Sequence, residues 1–328
     1  MDWPKLAPGG AGARHETCTR DACARNNIDE ATYVQAHCCS EPALCTKLTL
    51  DLEAVKGAWG SDQIPIASLQ HKSNLADDEL ILVVSSSALQ SPGSYVAASH
   101  VWADGLGGAT EKGLNFCQAQ RLDRLCRAVC EATGSSSSGG IAAEDPVWFW
   151  LDAACIPRPE TIGRELYYKA LDGIRHVYSN AQAVIVVDET VGRSTTSTPT
   201  ELLYARIYLS SWMQRMWAYE EAVLARELVF ALGDGGLFVF RVQSTPPASP
   251  MTAAVVWRSL GAQVHRPRVG GLGGGAQLDV GHVARAFRFR LTNVPGEEFL
   301  SVSGMLGLDT RRLMRASPGT TRGPASSG

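Results

Sequence analysis

Apolar stretches of strand length alternate with amphipathic stretches of helix length through the middle of this chain, and this alternation constrains the fold more than any other feature. Each helical stretch has apolar residues at helical spacing, and each strand stretch is a short apolar run. The segments, in order, are strand 95–99, helix 117–133, strand 147–151, helix 165–180, strand 183–187, helical region 201–224 and the strand pair 228–232 and 237–242. Such an alternation is typical of a mostly parallel sheet with helices on both faces.

Polar residues stand at the ends of three of these strands. In a parallel α/β sheet the ligand crevice lies at the carboxyl ends of the strands. That rule selects Ser99 with the adjacent His100, Asp152 and Asp188 as residues of one rim. Polar residues at strand ends also cap the helix that follows, and for each residue this alternative stays open.

Residues 212–221 hold two tryptophans and the adjacent carboxylates Glu220 and Glu221. Carboxylates beside an apolar stripe cost free energy unless they are paired or used. The simplest interpretation is an ion-paired helix with Arg215 or Arg226 as the partner, and a functional carboxylate is the alternative. If the segment is one helix, Glu221 lies at the edge of an apolar face formed by Met213, Met216, Trp217, Glu220 and Leu224.

Composition narrows the class of protein. The chain has 328 residues, 45% of them apolar and 19% charged, as in an ordinary globular protein. A net charge of −3 without a basic block argues against nucleic acid as a partner. No apolar run approaches the length of a membrane span, and the first residues do not resemble a signal peptide. We therefore expect a cytoplasmic protein.

The nine cysteines are an odd number in a chain without an export signal, so a disulfide framework is not expected. Six cysteine and histidine residues cluster between positions 18 and 45. Because such side chains suit tetrahedral zinc, the cluster predicts a structural zinc site. The four ligands we predict are Cys23, His37, Cys39 and Cys45. Cys18 or Cys38 could substitute, and loose reduced thiols are the alternative. Cysteines 117, 126 and 130, in a helical pattern, are expected to be small buried hydrophobes.

The pattern divides the chain into four parts. Residues 1–93 form an N-terminal region with the cysteine and histidine cluster and an apolar strand at 80–84. Residues 94–242 form the α/β core, and 243–310 a C-terminal helical part with helices at 280–290 and 297–308. We expect residues 1–20 to be poorly ordered, 135–140 and 270–275 to be flexible, and 311–328 to be a disordered tail.

Three blocks of sequence, in this order, resemble the HET (heterokaryon incompatibility) domain of filamentous fungi. They are 95–105 (YVAASHVWADG), 150–157 (WLDAACIP) leading into 174–181 (IRHVYSNA), and 211–226. A weaker fourth match lies within 290–309, so the resemblance covers about residues 94–310. The chain departs from the family pattern at Pro157, at Glu220, where Gln is usual, and at Ser301, where Cys is common.

The HET domain in turn resembles a divergent TIR (Toll/interleukin-1 receptor) domain, which implies a flavodoxin-like fold. The strand 95–99 is similar to the first TIR strand, which also ends in Ser. Residues 217–221 then place Glu221 on the glutamate that is catalytic in NAD-cleaving TIR domains. Helical geometry alone favours Glu220, which is nearer the centre of the apolar face. We choose Glu221, because two family patterns place a carboxylate four residues after the tryptophan.

The resemblance implies a role in fungal non-self recognition and programmed cell death, with NAD as the substrate. Loss of nicotinamide builds positive charge on the ribose, as in glycoside hydrolysis, and a carboxylate would stabilise that charge. Glu221 would be catalytic, and Ser99, Asp104, Asp152 and Trp217 would bind the substrate. For Trp217, packing in the core is the alternative.

Two other kinds of function stay open. Many TIR-like domains signal without catalysis, by self-association, so the chain could be an adaptor whose partner is a second copy or another incompatibility protein. A thiol enzyme that uses Cys155 and His100 is the other alternative. Convergence of Ser99, Asp152 and Glu221 on one open cleft would favour the enzyme, and a Glu221 buried away from any cleft would favour the adaptor.

Overall fold

Seven strands form one mixed sheet at the centre of the computed structural model, which describes residues 33–72, 80–88, 92–133, 145–240, 260–261, 280–287, 290, 298–306 and 308. The features expected at 1–20, 135–140, 270–275 and 311–328 lie outside these residues, as do Cys18 and Cys23.

The described residues contain nine strands. They are β1 (Lys47–Leu48), β2 (Gln63–His71), β3 (Leu80–Ala88), β4 (Tyr95–His100), β5 (Leu114–Asn115), β6 (Trp148–Leu151), β7 (Ala183–Val187), β8 (Leu228–Ala231) and β9 (Leu237–Phe240). The large sheet has the order β3-β2-β6-β4-β7-β8-β9, while β1 and β5 form a separate antiparallel pair.

The four central strands, β6, β4, β7 and β8, run parallel to one another. Every residue of β4 and β7 is buried, as expected for strands that are covered on both faces. The outer strands β3, β2 and β9 pair antiparallel. The predicted α/β class with a mostly parallel core is therefore confirmed. The same sheet also contains β2 and β3, which precede residue 94 and belong to the predicted N-terminal region.

Ten α-helices have bounds that the structure describes. They are α1 (Leu52–Gly60), α2 (Phe116–Ala132), α3 (Asp152–Cys155), α4 (Pro159–Ile162), α5 (Arg164–Asn180), α6 (Thr200–Leu209), α7 (Ser211–Gln214), α8 (Met216–Leu224), α9 (Val280–Phe287) and α10 (Glu298–Leu306). The crossover β4-α2-β6 runs along the sheet in the opposite direction to β6-α5-β7. Because such crossovers are right-handed, α2 and α5 lie on opposite faces of the sheet.

The tryptophan-rich segment differs from the single helix assumed above. The chain leaves helical geometry at Arg215, which has φ −80° and ψ 139°, so Trp212 belongs to α7 and Trp217 to α8. Met213 therefore does not continue the face of Glu220 and Leu224, and that part of the prediction is wrong. Each of the two short helices needs its own N-cap, and Ser210 supplies one by accepting from the amide of Met213 at 3.1 Å.

The two C-terminal helices pack on α8. Tyr219 and Val223 of α8 form a small apolar cluster with Val283, Ala286 and Leu306. The rings of Tyr219 and Phe287 meet edge to face, with their centroids 5.8 Å apart. Helices are thus present within both predicted ranges, 280–290 and 297–308, and they adjoin the helix that carries Glu221.

Candidate functional site

Ser99, Asp152 and Asp188 lie at one edge of the sheet. Ser99 and His100 end β4, Asp152 directly follows β6, and Asp188 directly follows β7. These strands are neighbours and run parallel, so their carboxyl ends meet at a common rim, as the sequence predicts.

Ser99 connects Glu221 to Trp212 within this rim. The Ser99 hydroxyl donates a hydrogen bond to a carboxylate oxygen of Glu221. The indole Nε1 of Trp212 donates to the same hydroxyl oxygen at 2.5 Å. Trp212 is itself held by the carboxylate of Asp188, which accepts from its backbone amide at 3.1 Å. The Ser99 hydroxyl therefore accepts a hydrogen bond from the indole of Trp212 and donates one to the carboxylate of Glu221.

Asp188 orders the backbone of two neighbouring segments. Besides the Trp212 amide, its carboxylate accepts from the backbone amide of Val191 at 3.0 Å, and the residue is buried. Both bonds go to backbone amides at turns, which is the capping role left open above. Asp188 thus sets the position of Trp212 relative to Ser99.

The two adjacent glutamates are buried and differ in their surroundings. Burial raises the pKa of Glu221, while the charge of Arg215 and the Ser99 hydrogen bond favour its ionised form. Burial and the neighbouring Glu221 raise the pKa of Glu220 to about 8. One Glu220 oxygen, Oε2, has no hydrogen-bond partner among the described residues. Glu220 therefore holds a proton near neutral pH, while Arg215 and the Ser99 hydrogen bond favour the ionised form of Glu221.

Arg215, at the break between α7 and α8, links several parts of the site. Its guanidinium donates to the backbone carbonyl of His100, and its charge acts on both Glu221 and Asp152. Its own carbonyl accepts from the guanidinium of Arg290 at 3.0 Å. Arg226, the other candidate ion-pair partner, instead donates to the carbonyl of Ser179 at 3.1 Å.

Asp152 is the centre of a second hydrogen-bonded group on the same rim. Its carboxylate binds Nε2 of His100 at 2.8 Å and the indole Nε1 of Trp102 at 2.8 Å. Burial alone would raise the pKa of Asp152, but His100, Trp102 and the charge of Arg215 together hold it at about 2. With 26% of its side chain exposed, Asp152 reaches the surface, whereas Ser99 is 1% exposed and Glu221 6%.

Asp152→Asn should lower the free energy of unfolding by about 1.5–3 kcal/mol at neutral pH. It removes the charged acceptor of hydrogen bonds from His100, Trp102 and the backbone amide of Ala153. A carboxylate whose pKa is depressed stabilises the fold above its ordinary pKa of 3.8 and loses that effect as the pH falls toward 2. Denaturant unfolding of both proteins from pH 7 to pH 3 measures this. The difference in unfolding free energy between the wild type and Asp152→Asn should decrease below pH 4. A difference that stays constant would contradict the lowered pKa of Asp152.

Asp104 and Trp217 are the other two predicted substrate-binding residues. The carboxylate of Asp104 accepts from the backbone amide of Glu189 at 2.8 Å, so it joins the loop after β4 to the loop after β7. Trp217 is partly buried and packs against the main core, as its alternative interpretation held. Trp212 makes the polar contact to Ser99 instead, and sequence spacing gave no reason to choose it.

The thiol-enzyme alternative loses support. Cys155 is completely buried, and burial raises the pKa of its thiol to about 12. A thiol in this state is a poor nucleophile, because the thiolate is the reactive form. His100, its proposed partner, binds Asp152.

Four potential metal ligands meet on the N-terminal side of α2. The ligand atoms of His37, Cys39, Cys45 and Cys117 all lie within 4.8 Å of one another. Three of them are residues that the sequence predicts as zinc ligands. The fourth, Cys117, is buried as the sequence predicts, but its place among these potential ligands was not predicted. Cys23, the ligand predicted in its place, lies outside the described residues.

Comparisons with known protein families, with curated proteins and with solved structures found no match. Among the helices that the structure describes, none combines the length and apolar character that crossing a membrane requires. The fold and the site therefore define an α/β protein with a mixed sheet, a buried serine–glutamate pair at its carboxyl edge and a separate cysteine–histidine cluster.

Proposed function

We propose that this chain is a cell-death effector of the heterokaryon-incompatibility type, with a TIR-like flavodoxin fold, that acts in the cytoplasm. In this proposal it cleaves NAD between nicotinamide and ribose, with Glu221 as the catalytic carboxylate. The observation that carries the proposal is the hydrogen bond from Ser99, at the end of β4, to Glu221 of α8. It joins the two residues that the TIR-like resemblance selects at separate places in the sequence.

The surroundings of Glu221 suit the stabilisation of a ribosyl cation. Burial removes water that would screen the carboxylate, and a charge in such a place interacts more strongly with a developing positive charge. Arg215 and Ser99 favour the ionised form of the Glu221 carboxylate. In this proposal Asp152, whose side chain is 26% exposed, and Trp102, which donates to it, would contact the parts of the nucleotide that do not react.

The direct test is to incubate the purified chain with NAD and to follow nicotinamide release by chromatography. We expect release that is proportional to protein concentration and that disappears in the Glu221→Gln protein. An absence of release from a folded wild-type protein, under conditions in which it kills cells, would overturn the catalytic part of the proposal.

Ser99→Ala should shift the ascending limb of the pH–activity profile to higher pH. The hydroxyl lowers the pKa of Glu221, so its removal lets burial raise that pKa further, and a higher pH is needed to ionise the carboxylate. Ser68→Ala is the matched control, because Ser68 is fully buried in β2 and its hydroxyl has no partner among the described residues. An unshifted profile in Ser99→Ala would show that the bond does not act on the catalytic group.

A non-enzymatic adaptor is the second candidate, and the burial of the Ser99–Glu221 pair favours it. Glu221 is 6% exposed and Ser99 1%, so a substrate could reach them only after the rim moves. In addition, α6 exposes Leu202 by 45%, Tyr208 by 37% and Leu209 by 68%. An exposed apolar helix face of this kind suits self-association. The partner would then be a second copy or another incompatibility protein.

The two candidates differ in what Leu202→Glu/Leu209→Glu should do. If self-association causes death, this double variant loses both the oligomer in size-exclusion chromatography and the toxicity, while NAD in the cells stays constant throughout. If the chain is the enzyme, nicotinamide release persists in the monomeric variant.

A further inference from the structure

We propose that His37, Cys39, Cys45 and Cys117 bind a structural zinc ion that fastens residues 33–48 to the start of α2 and to the loop bordering the rim. The three thiolates and one imidazole form a Cys₃His set, which is among the common structural zinc sites. The ion would leave no coordination position open, so its role would be to hold the fold.

The distances within the cluster suit a tetrahedral ion. Nδ1 of His37 lies 3.9 Å from Sγ of Cys39 and 3.8 Å from Sγ of Cys117. Zinc bonds of about 2.0 Å to nitrogen and 2.3 Å to sulfur, at the tetrahedral angle, give a nitrogen–sulfur separation of about 3.5 Å. The separations of His37 from Cys39 and Cys117 thus lie within a few tenths of an ångström of this value, and all four ligand atoms lie within 4.8 Å of one another.

The short pair of β1 and β5 explains why Cys117 takes part. Lys47 pairs with Asn115 in an antiparallel register, and the amide of Phe116 donates to the carbonyl of Thr46 at 2.9 Å. When this register is continued, Cys45 stands opposite Cys117. Two segments far apart in sequence thus supply the ligands, which is the arrangement in which an ion cross-links a fold most effectively.

Cys38 occupies a supporting position instead of a ligand position. Its backbone amide donates to Sγ of Cys117 at 3.3 Å, and its own thiol donates to the carbonyl of Cys117 at 3.2 Å. An amide aimed at a cysteine sulfur is the contact expected around a metal-bound thiolate, because it stabilises the charge and orients the ligand.

The segment that the ion would fasten is bonded to the loop bordering the candidate active site. The amide of Ala36 donates to the carbonyl of Gly105 at 2.9 Å, and the hydroxyl of Tyr33 to that of Gly107 at 2.7 Å. Gly105 directly follows the turn Trp102–Asp104, whose tryptophan binds Asp152. The ion would therefore support the exposed side of the rim through backbone hydrogen bonds.

Metal analysis of the full chain by mass spectrometry tests the proposal. We expect about one zinc per chain, and Co²⁺ added to the zinc-free protein should give the intense absorption of tetrahedral thiolate coordination. Cys117→Ala should lose the metal, whereas Cys130→Ala, which removes an equally buried thiol from the same helix, should keep it. Cys23→Ala should also keep it, because Cys23 is not one of the four ligands.

The outcomes separate the alternatives. Zinc far below one per chain in the wild type, with no cobalt absorption, would overturn the site. Loss of zinc in Cys23→Ala but not in Cys117→Ala would assign the fourth ligand to Cys23 and overturn this ligand set. If Cys117→Ala does not fold, the wild type decides: a chelator should release the zinc and open residues 33–48 to proteolysis. NAD cleavage is measured separately, so failure of either proposal leaves the other standing.

Discussion

Glu221→Gln is expected to reduce nicotinamide release by about 10²-fold or more and to abolish toxicity, while the protein remains folded. Glutamine keeps the size of the side chain and can still accept from the Ser99 hydroxyl, but it lacks the charge that stabilises a ribosyl cation. Nicotinamide release by the purified variant and survival of cells that express it are the two measurements.

Glu220→Gln is the matched control, since it makes the same change one residue earlier in the same buried helix. Because Glu220 holds a proton near neutral pH, its replacement by a neutral amide should leave activity nearly unchanged. Full toxicity of Glu221→Gln, or inactivity of Glu220→Gln alone, would show that the wrong carboxylate has been chosen. Toxicity of the wild type without NAD loss would favour the adaptor.

The same Glu220→Gln protein should be more stable than the wild type at pH 8 by an amount on the order of a few kcal/mol. In the unfolded chain Glu220 ionises near its ordinary pKa of 4.5, but in the folded protein its pKa is about 8. The folded state therefore binds the additional proton between these values, and stability falls as the pH rises from 4.5 to 8. Glutamine cannot ionise and removes this loss.

Thermal unfolding from pH 5 to pH 8 tests the prediction. The melting temperature of the wild type should fall across this range relative to that of the variant, by about 2–4 °C for each kcal/mol. Glu131→Gln, at an exposed position of α2, removes the same charge and should leave the pH dependence unchanged. Parallel curves for the wild type and Glu220→Gln would contradict the raised pKa.

The parallel core could be predicted because its strands are short apolar runs buried on both faces, and its long helices carry regular apolar spacing. The observed bounds of β7 equal the predicted ones, and α5 begins one residue earlier than predicted. In these elements the local sequence pattern agrees with the tertiary structure, because strands that are buried on both faces consist almost entirely of apolar residues.

The elements α1 and β2 were missed for local reasons. Pro65 lies within β2, and a proline inside an apolar run argues against a strand because it cannot donate to the ladder. The helix α1 contains Gly57 and ends at Gly60, and glycine weakens a helical pattern. In both cases packing against the sheet outweighs the local preference. For α1 the indole of Trp59 also donates to the carbonyl of Cys155 at 2.8 Å.

Within the candidate site, the sequence identified the rim residues and Glu221, but not the residues that contact them from elsewhere. Trp212 reaches Ser99 because the chain breaks at Arg215, and Cys117 reaches Cys45 through the pairing of β1 with β5. Both contacts depend on how segments that are distant in sequence pack together. Hydrophobic periodicity and residue spacing do not predict such packing.

The hydrogen bond from Arg290 to the carbonyl of Arg215 bears on how much of the chain is needed for a working site. A shortened protein that ends at residue 242 would lose this guanidinium, which also contacts the sulfur of Met213 at 3.5 Å and lies over the ring of Tyr219. A protein that begins at residue 94 would lose β2 and leave β6 at an open edge. Contacts from both sides of the four parallel strands therefore support the site, and a protein limited to residues 94–242 would lack them.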